Sequence, residues 1–361
     1  MLYHRPGELS AVSGVSAPTE PVRDELLIDR IVTAYGRANK AELGDSMWKA
    51  FFATYHEPVH RVLAEGGRPA VAAMLRNPAA TDLFFGFDIL TKSHNGVFRD
   101  AAVRKAYAKL CLDGLLRFAE SAGAVPMDNP ETWPARTAMQ TDIGRILASL
   151  GAVGAGFSSP NPFPDEHGVA SPVGVISYRV PQALYQAWRI KQLVRAFPHP
   201  RVLEIGAGLG RTAHCAYQLG IKNYTIVDIP VTAVAQAYFL GRTLGQEHVR
   251  LDGEPAGSGE SNVRIIGPQT FLDENLRYDL IVNVDSLPEM DFAVAAAYWE
   301  KIKRSTPTFL SINHEANAFR VADVIASDRS RLSVERSHHW MRRGYAEELI
   351  RIQTIADRNS I

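Results

Sequence analysis

The chain changes rhythm once along its length. From about residue 21 to 150, apolar residues return at three- and four-residue steps, the period of helices that bury one stripe. Leu27, Ile28, Ile31, Val32 and Tyr35 make the first stripe. Trp48, Phe51, Phe52 and Tyr55 make a second, behind the capping residues Asp45 and Ser46. Further helical segments are predicted around 58 to 75 and 80 to 92. A longer one over 98 to 122 carries Val103, Tyr107, Leu110, Cys111, Leu115 and Phe118, and another runs from about 134 to 150. No strand pattern is visible before 170. A helix at 177 to 196 follows, and then short continuous apolar runs take over, as in strands covered on both faces. Such runs lie at 201–205, 224–227, 263–266, 278–284 and 308–312, with helices at 211–219, 231–245 and 291–304 between them. Two more strands fit at 332–337 and 347–354. The pattern predicts an α/β fold with a mostly parallel seven-stranded sheet and helices on both faces, preceded by an all-helical amino-terminal domain.

The breaks divide the chain. Residues 1–20 are rich in Ser, Pro, Gly and Ala and read as a loose leader. Residues 21–150 form the helical domain, expected as a lid or dimerisation surface. The stretch 151–177, GAVGAGFSSPNPFPDEHGVASPVGVIS, reads as a linker or as a lid loop in which Phe157, Phe163, Asp165, Glu166 and His167 face a substrate. The sheet and its helices occupy 178–361. A flexible surface loop is expected at 252–261.

The densest chemistry lies in RVLEIGAGLGRTAHCAYQLGIKNYTIVDIP, from Arg201 to Pro230. It reads as strand, glycine turn, helix, strand. Gly206, Gly208 and Gly210 stand where the chain must turn sharply and approach a ligand with its backbone. The second strand delivers Asp228 and Ile229 at its carboxyl end, where an acid accepts hydrogen bonds from a ribose. This is a Rossmann-like nucleoside site. For a dinucleotide the third glycine comes one residue early and Arg211 fills the Gly/Ala position. Glu204, two residues before the first glycine, opposes a pyrophosphate but suits the cationic amino-acid end of S-adenosylmethionine. The motif therefore favours S-adenosylmethionine as cofactor over NAD. Ala207 in the turn, Tyr178 ahead of it, Gln269 and Phe271 after the third strand, and Asn283 with Val284 on the fourth complete the expected cofactor contacts. Polar groups at the ends of the fourth and fifth strands, Asp285, Ser286, Glu289, His314 and Glu315, are site candidates because open parallel sheets bind ligands there.

Bulk composition narrows the partners. The 361 residues are 46% hydrophobic and 22% charged, with 39 basic and 39 acidic side chains, so no global field favours nucleic acid or an anionic membrane. Two distant cysteines, no secretory leader pattern and no apolar run near the ~20 residues that span a bilayer make a cytoplasmic protein the expectation.

With LEIGAGLGR at 203–211, YTIVDIP at 224–230, NVDSLPEM at 283–290 and FLSINHE at 309–315, the chain resembles the class I S-adenosylmethionine-dependent methyltransferases. More narrowly it is similar to a bacterial family of sugar O-methyltransferases, which also ends in a Trp, Arg and Gly-Tyr cluster like HHWMRRGYAEEL at 338–349. The resemblance covers about 170 to 355. It implies methyl transfer to a hydroxyl of a sugar or other small molecule, which needs in-line approach of the acceptor oxygen and a base for its proton. His314 is the first candidate base, with Asp285 and Glu315 as alternatives or as orienting groups. His338, Trp340, Arg343, Tyr345, Ser286, Glu289 and His167 are the expected substrate wall. Asp285, His314 and Glu315 are also ligand types for a divalent ion, yet they come from different strands, and no metal is expected. A carboxylate acceptor, which needs little base assistance, and a non-catalytic cofactor-binding scaffold stay open as alternatives. The small-molecule acceptor is the expected partner, together with a possible second copy docking through the helical domain.

Overall fold

The computed structural model describes residues 22–38, 46–127, 143–255, 262–326, 328 and 332–352. The leader at 1–20, Asp45, the start of the 134–150 helix and part of the 252–261 loop lie outside them. The helical part comprises α1 (Glu25–Arg37), α2 (Met47–Phe51), α3 (Glu57–Glu65), α4 (Gly67–Arg76), the one-turn α5 (Lys92–Asn95), α6 (Ala101–Ser121) and α7 (Ile143–Ala152). A wider π-type turn at Phe52–His56 joins α2 to α3, and Gly67, with φ at 69°, starts α4 on a new axis. Asp100 caps α6 by accepting from the Ala102 N–H at 2.7 Å.

The helix expected over 80–92 does not form. Leu83, Phe84, Phe87 and Leu90 carry helical spacing and are all buried. Gly86 at φ 94° breaks the run, however. The side chains of Asp82, Thr81 and Asp88 accept from backbone N–H groups of Ser93, Leu83 and Leu90. Short polar side chains have replaced the helical ladder with turns.

The 151–177 region is not purely loop. Its end folds into a hairpin, β1 (Val169–Ser171) against β2 (Gly174–Ile176). After α8 (Arg179–Leu193) come β3 (Arg201–Ile205), α9 (Arg211–Gln218), β4 (Asn223–Val227), α10 (Pro230–Leu244), β5 (Val249–Arg250) and β6 (Asn262–Ile266). They are followed by α11 (Pro268–Asp273), β7 (Leu280–Val284), α12 (Phe292–Ser305), β8 (Thr308–His314), α13 (Val321–Ile325), β9 (Leu332–His338) and β10 (Tyr345–Ile352). The sheet order is β5-β6-β4-β3-β7-β8-β10-β9, with β3 to β8 parallel and β10 antiparallel to both its neighbours. The sheet therefore has eight strands, not seven. The added strand, β5, is two residues long and too short to leave a periodic signal.

Alternate residues of β3 supply opposite faces: Val202 enters one core, while Leu203 and Ile205 enter the other. The first core also contains Leu27, Ile28 and Ile31 of α1, Phe84, Leu115 of α6 and Phe239 of α10. Each such side chain contributes roughly 1.5–3 kcal/mol when fully buried. Gly241 lets α1 close on α10, since a Cβ there would stand 2.7 Å from the Leu27 tip. The amino-terminal helices and the sheet thus share one continuous apolar core. Buried Asp24 ties it together, accepting from Arg76 and from the Tyr238 hydroxyl at 2.7 Å.

Candidate functional site

A cleft of about 790 Å³ opens at the carboxyl ends of β3, β4, β6, β7 and β8, between the sheet and the amino-terminal helices. Its floor is the glycine turn. Gly206, Gly208 and Gly210 have φ of 72°, 55° and 88°, in the left-handed region that side chains disfavour. The first is also sterically required, because a Cβ on Gly206 would stand 2.3 Å from the Ser286 side chain. Gly210 starts α9 from below the turn and does not face the cleft.

Asp228 rises beside this floor. Its Oδ1 accepts from the Ile229 N–H at 2.8 Å, and its Oδ2 accepts from the Ala207 N–H at 3.1 Å and from Gln236 Nε2 at 2.6 Å. Gln236 also donates to the Gly208 carbonyl at 2.9 Å, so one buried amide fixes both turn and acid. Burial raises the Asp228 carboxyl to about 7. A carboxylate offers about four acceptor directions, and some remain for a ligand hydroxyl. Glu204 is 1% exposed and accepts from the Tyr224 hydroxyl at 2.9 Å. Burial raises it to about 8.

The far end of the cleft is built from three directions. Asp285 leaves β7 with φ at 58° and is gripped by Arg342, from the turn before β10, and by Arg179 of α8 at 3.7 Å. Two guanidiniums make Asp285 a charge partner rather than a free base. Glu289 accepts from Trp48 Nε1 at 3.2 Å, a contact made by α2 across the cleft. Burial first, and the Asp285 charge second, push Glu289 up to about 8. His314, the last residue of β8, lies on the wall with its ring edge-on to Tyr345 at 5.4 Å, and its Nδ1 accepts from the Ala316 N–H at 3.3 Å. With Nδ1 accepting, the neutral ring carries its proton on Nε2.

Of the residues singled out in the sequence, Glu204, Gly206, Ala207, Gly208, Asp228, Ile229, Gln269, Val284, Asp285, Ser286, Glu289, His314 and Tyr345 line this cleft. Others lie elsewhere. Phe271 is 2% exposed and packs on Tyr298 in the second core, not on an adenine site. Asn283 is fully buried and clips strands together, donating to the Ile205 carbonyl and accepting from Asn313. Tyr178 packs beside α6, where its backbone N–H donates to the Tyr107 hydroxyl. Glu315 points to the edge strand and pairs with Arg336 at 2.6 Å. His338 and Arg343 are exposed outside the cleft lining. Trp340 is 44% exposed and donates to the Arg117 carbonyl of α6 at 3.1 Å. His167 stacks on Phe98 with ring centres 4.2 Å apart, Phe163 is in the core, and Glu166 is locked by Arg211 at 2.8 Å. The region that composition marked as a lid is thus partly core.

Sequence reasoning missed Gln236, Arg179, Arg342 and Trp48. Gln236 stands eight residues beyond Asp228 on an otherwise apolar helix face, a signal that was present. Arg342 lies in the HHWMRRGYAEEL turn that the sequence marked, next to the Arg343 it favoured, while Arg179 and Trp48 are brought in by tertiary packing alone. Among the described residues no group of three or more His, Cys, Asp and Glu side chains is placed to hold a metal ion, and no helix is long and apolar enough to cross a membrane.

No protein-family model matches the chain, and no curated protein matches it in sequence. Solved structures share part of its fold. The magnesium protoporphyrin IX methyltransferase ChlM from Synechocystis PCC 6803, with bound SAM, is 12% identical over 48% of this chain and 80% of its own, with a TM-score of 0.35. The pyocyanin biosynthetic protein PhzM is 10% identical over 49% of this chain and 58% of its own, with a TM-score of 0.35. The methyltransferase domain of a bacterial Hen1 is 9% identical over 47% of this chain and 97% of its own, with a TM-score of 0.33. Likenesses at this level do not bear on the cofactor, substrate or reaction of the present chain.

Proposed function

We propose that the chain is an S-adenosylmethionine-dependent O-methyltransferase that acts on a hydroxyl of a sugar or similar small molecule. The observation that carries the reading is the joint geometry of one cleft: a glycine floor with no room for a Cβ at Gly206, Asp228 beside it, and His314 on the opposite wall. The acceptors present fit such a cofactor. Asp228 keeps acceptor capacity for ribose hydroxyls, and the orphaned Gln236 Oε1 and the neutral-poised Glu204 lie toward the turn. When bound, the cofactor supplies an electrophilic methyl carbon on a sulfonium. The protein's part is to orient and to move one proton. The glycine backbone permits close approach, and Asp228 would hold the ribose. For His314 Nε2 to take the acceptor hydroxyl proton as the oxygen attacks, the ring must carry its own proton on Nδ1 and give up the 3.3 Å Ala316 contact.

The test is His314→Ala in the full chain. Turnover with an acceptor found by screening sugars and sugar derivatives should fall by about 10²–10⁴-fold, the usual worth of a positioned base. Calorimetric affinity for S-adenosylhomocysteine should stay within a factor of about two, because the ring lies away from Asp228. Near-full turnover would sink the base role, and no binding of either cofactor form by folded protein would sink methyl transfer itself.

A further inference from the structure

The far wall of the cleft brings two arginines onto one aspartate. Arg342 is mostly buried, lies over the Tyr345 ring at 3.6 Å, and donates to Asp285 Oδ2 and to the Tyr345 hydroxyl. Arg179 reaches that same Asp285 oxygen at 3.7 Å, and its remaining bond among the described residues is a long one to Gln182 Oε1 at 3.4 Å. Two guanidiniums therefore converge on one carboxylate oxygen. Two other carboxyls lie near by: Glu289, which burial raises to about 8, and Asp291, whose Oδ1 accepts from the Ala293 N–H at the start of α12. Guanidinium is charged at every working pH and carries forked donors matched to carboxylate and phosphate. Arg179 lines the cleft with its side chain 34% exposed and has N–H donors left over.

We propose that the methyl acceptor carries an acidic group, a carboxylate or a phosphate, which Arg179 and Arg342 seat on this wall so that its hydroxyl faces His314. The inference rests on the methyl-transfer reading and narrows its substrate to acidic sugars or other hydroxylated acids. The Arg–Asp–Arg arrangement also explains the placement of Asp285. Its one carboxylate oxygen is shared between the two cations, so Arg179 keeps donors for a ligand.

The test uses inorganic phosphate and acetate as probes, titrated separately into the full chain at constant ionic strength and followed by ligand-observed magnetic resonance. Saturable millimolar binding is expected in the presence of saturating S-adenosylhomocysteine, and the tighter probe names the acid class. Arg179→Gln should weaken it by about tenfold, the worth of one charge-assisted hydrogen bond. Asp285→Asn should tighten it several-fold, a change opposite in sign to any loss of fold, and Asn tolerates the φ of 58° found there. Absence of saturable binding overturns the proposal, as does indifference to both variants. It is also overturned if S-adenosylhomocysteine displaces the anion while 5′-methylthioadenosine does not, since the arginines would then hold the cofactor's own carboxylate. Failure of S-adenosylhomocysteine to bind, with the anion pattern intact, sinks methyl transfer and leaves the anion seat standing.

Discussion

At the scale of single residues, the cleft is marked by carboxyls that burial holds near neutrality: Asp228 at about 7, Glu204 and Glu289 at about 8. Ionised Asp228 accepts hydroxyl donors and protonated Asp228 is a poorer acceptor. Adenosine, which has no amino group titrating in this range, should therefore bind more tightly as pH rises. The affinity should gain up to about tenfold per pH unit below 7 and level off above it. Calorimetry from pH 5.5 to 8.5 would check this, and a flat profile would remove Asp228 from the binding step. Glu204 makes a stability prediction of opposite sense. Its folded-state pKa lies above its unfolded one, so its contribution to stability is complete below about pH 4 and is lost as pH rises through 8. Glu204→Gln cannot ionise and keeps an acceptor for Tyr224. Urea melts should show it more stable than the parent by roughly 1–3 kcal/mol at pH 8.5 and equal to it at pH 4.

At the scale of elements, the β3–α9 turn and the β7 end are fitted to each other through one missing side chain. Ser286 fills the space where a Gly206 Cβ would go and donates to the Ile205 carbonyl at 2.9 Å. Gly206→Ala should therefore lower stability by about 2–4 kcal/mol through both the clash and the positive φ, and abolish S-adenosylhomocysteine binding. Adding Ser286→Gly should recover the clash share and leave the φ share, a coupling that a double-mutant cycle reads directly. The glycines of this turn were legible in the sequence, because only glycine suits such φ values. The partner that makes Gly206 obligatory was not, since Ser286 is 80 residues away. The same limit explains the 80–92 segment. Its apolar spacing copied a helix, but the decisive features were Gly86 and side-chain bonds from Asp82 and Asp88 that periodicity does not register.

At the scale of the molecule, the amino-terminal helices and the sheet share a core instead of meeting as separate bodies. Calorimetric melting of the full chain should accordingly give one cooperative transition, and two resolved transitions would refute the shared core. Asp24 is the sharpest probe of that junction, since its buried carboxylate is held by Arg76 from α4 and by Tyr238 and Arg242 from α10. Asp24→Ala should lower stability by about 1–3 kcal/mol, because the buried Tyr238 hydroxyl loses its acceptor and the half-exposed Arg76 its partner, and lower the single transition as a whole.

The sequence by itself determined the α/β order, the glycine turn, the acid after the second strand and the polar residues at the ends of the fourth and fifth. These follow from local rules: period, φ sterics and the fixed length of a strand–turn–helix unit. Only the tertiary structure decided that Trp48 reaches Glu289, that Arg179 and Arg342 meet on Asp285, and that Phe271, Asn283 and Trp340 serve packing and strand ties away from the cleft. Side-chain periodicity states which residues avoid water but not which neighbour they meet. A wall assembled from residues 48, 179, 285 and 342 exists only once long-range packing has brought those segments together.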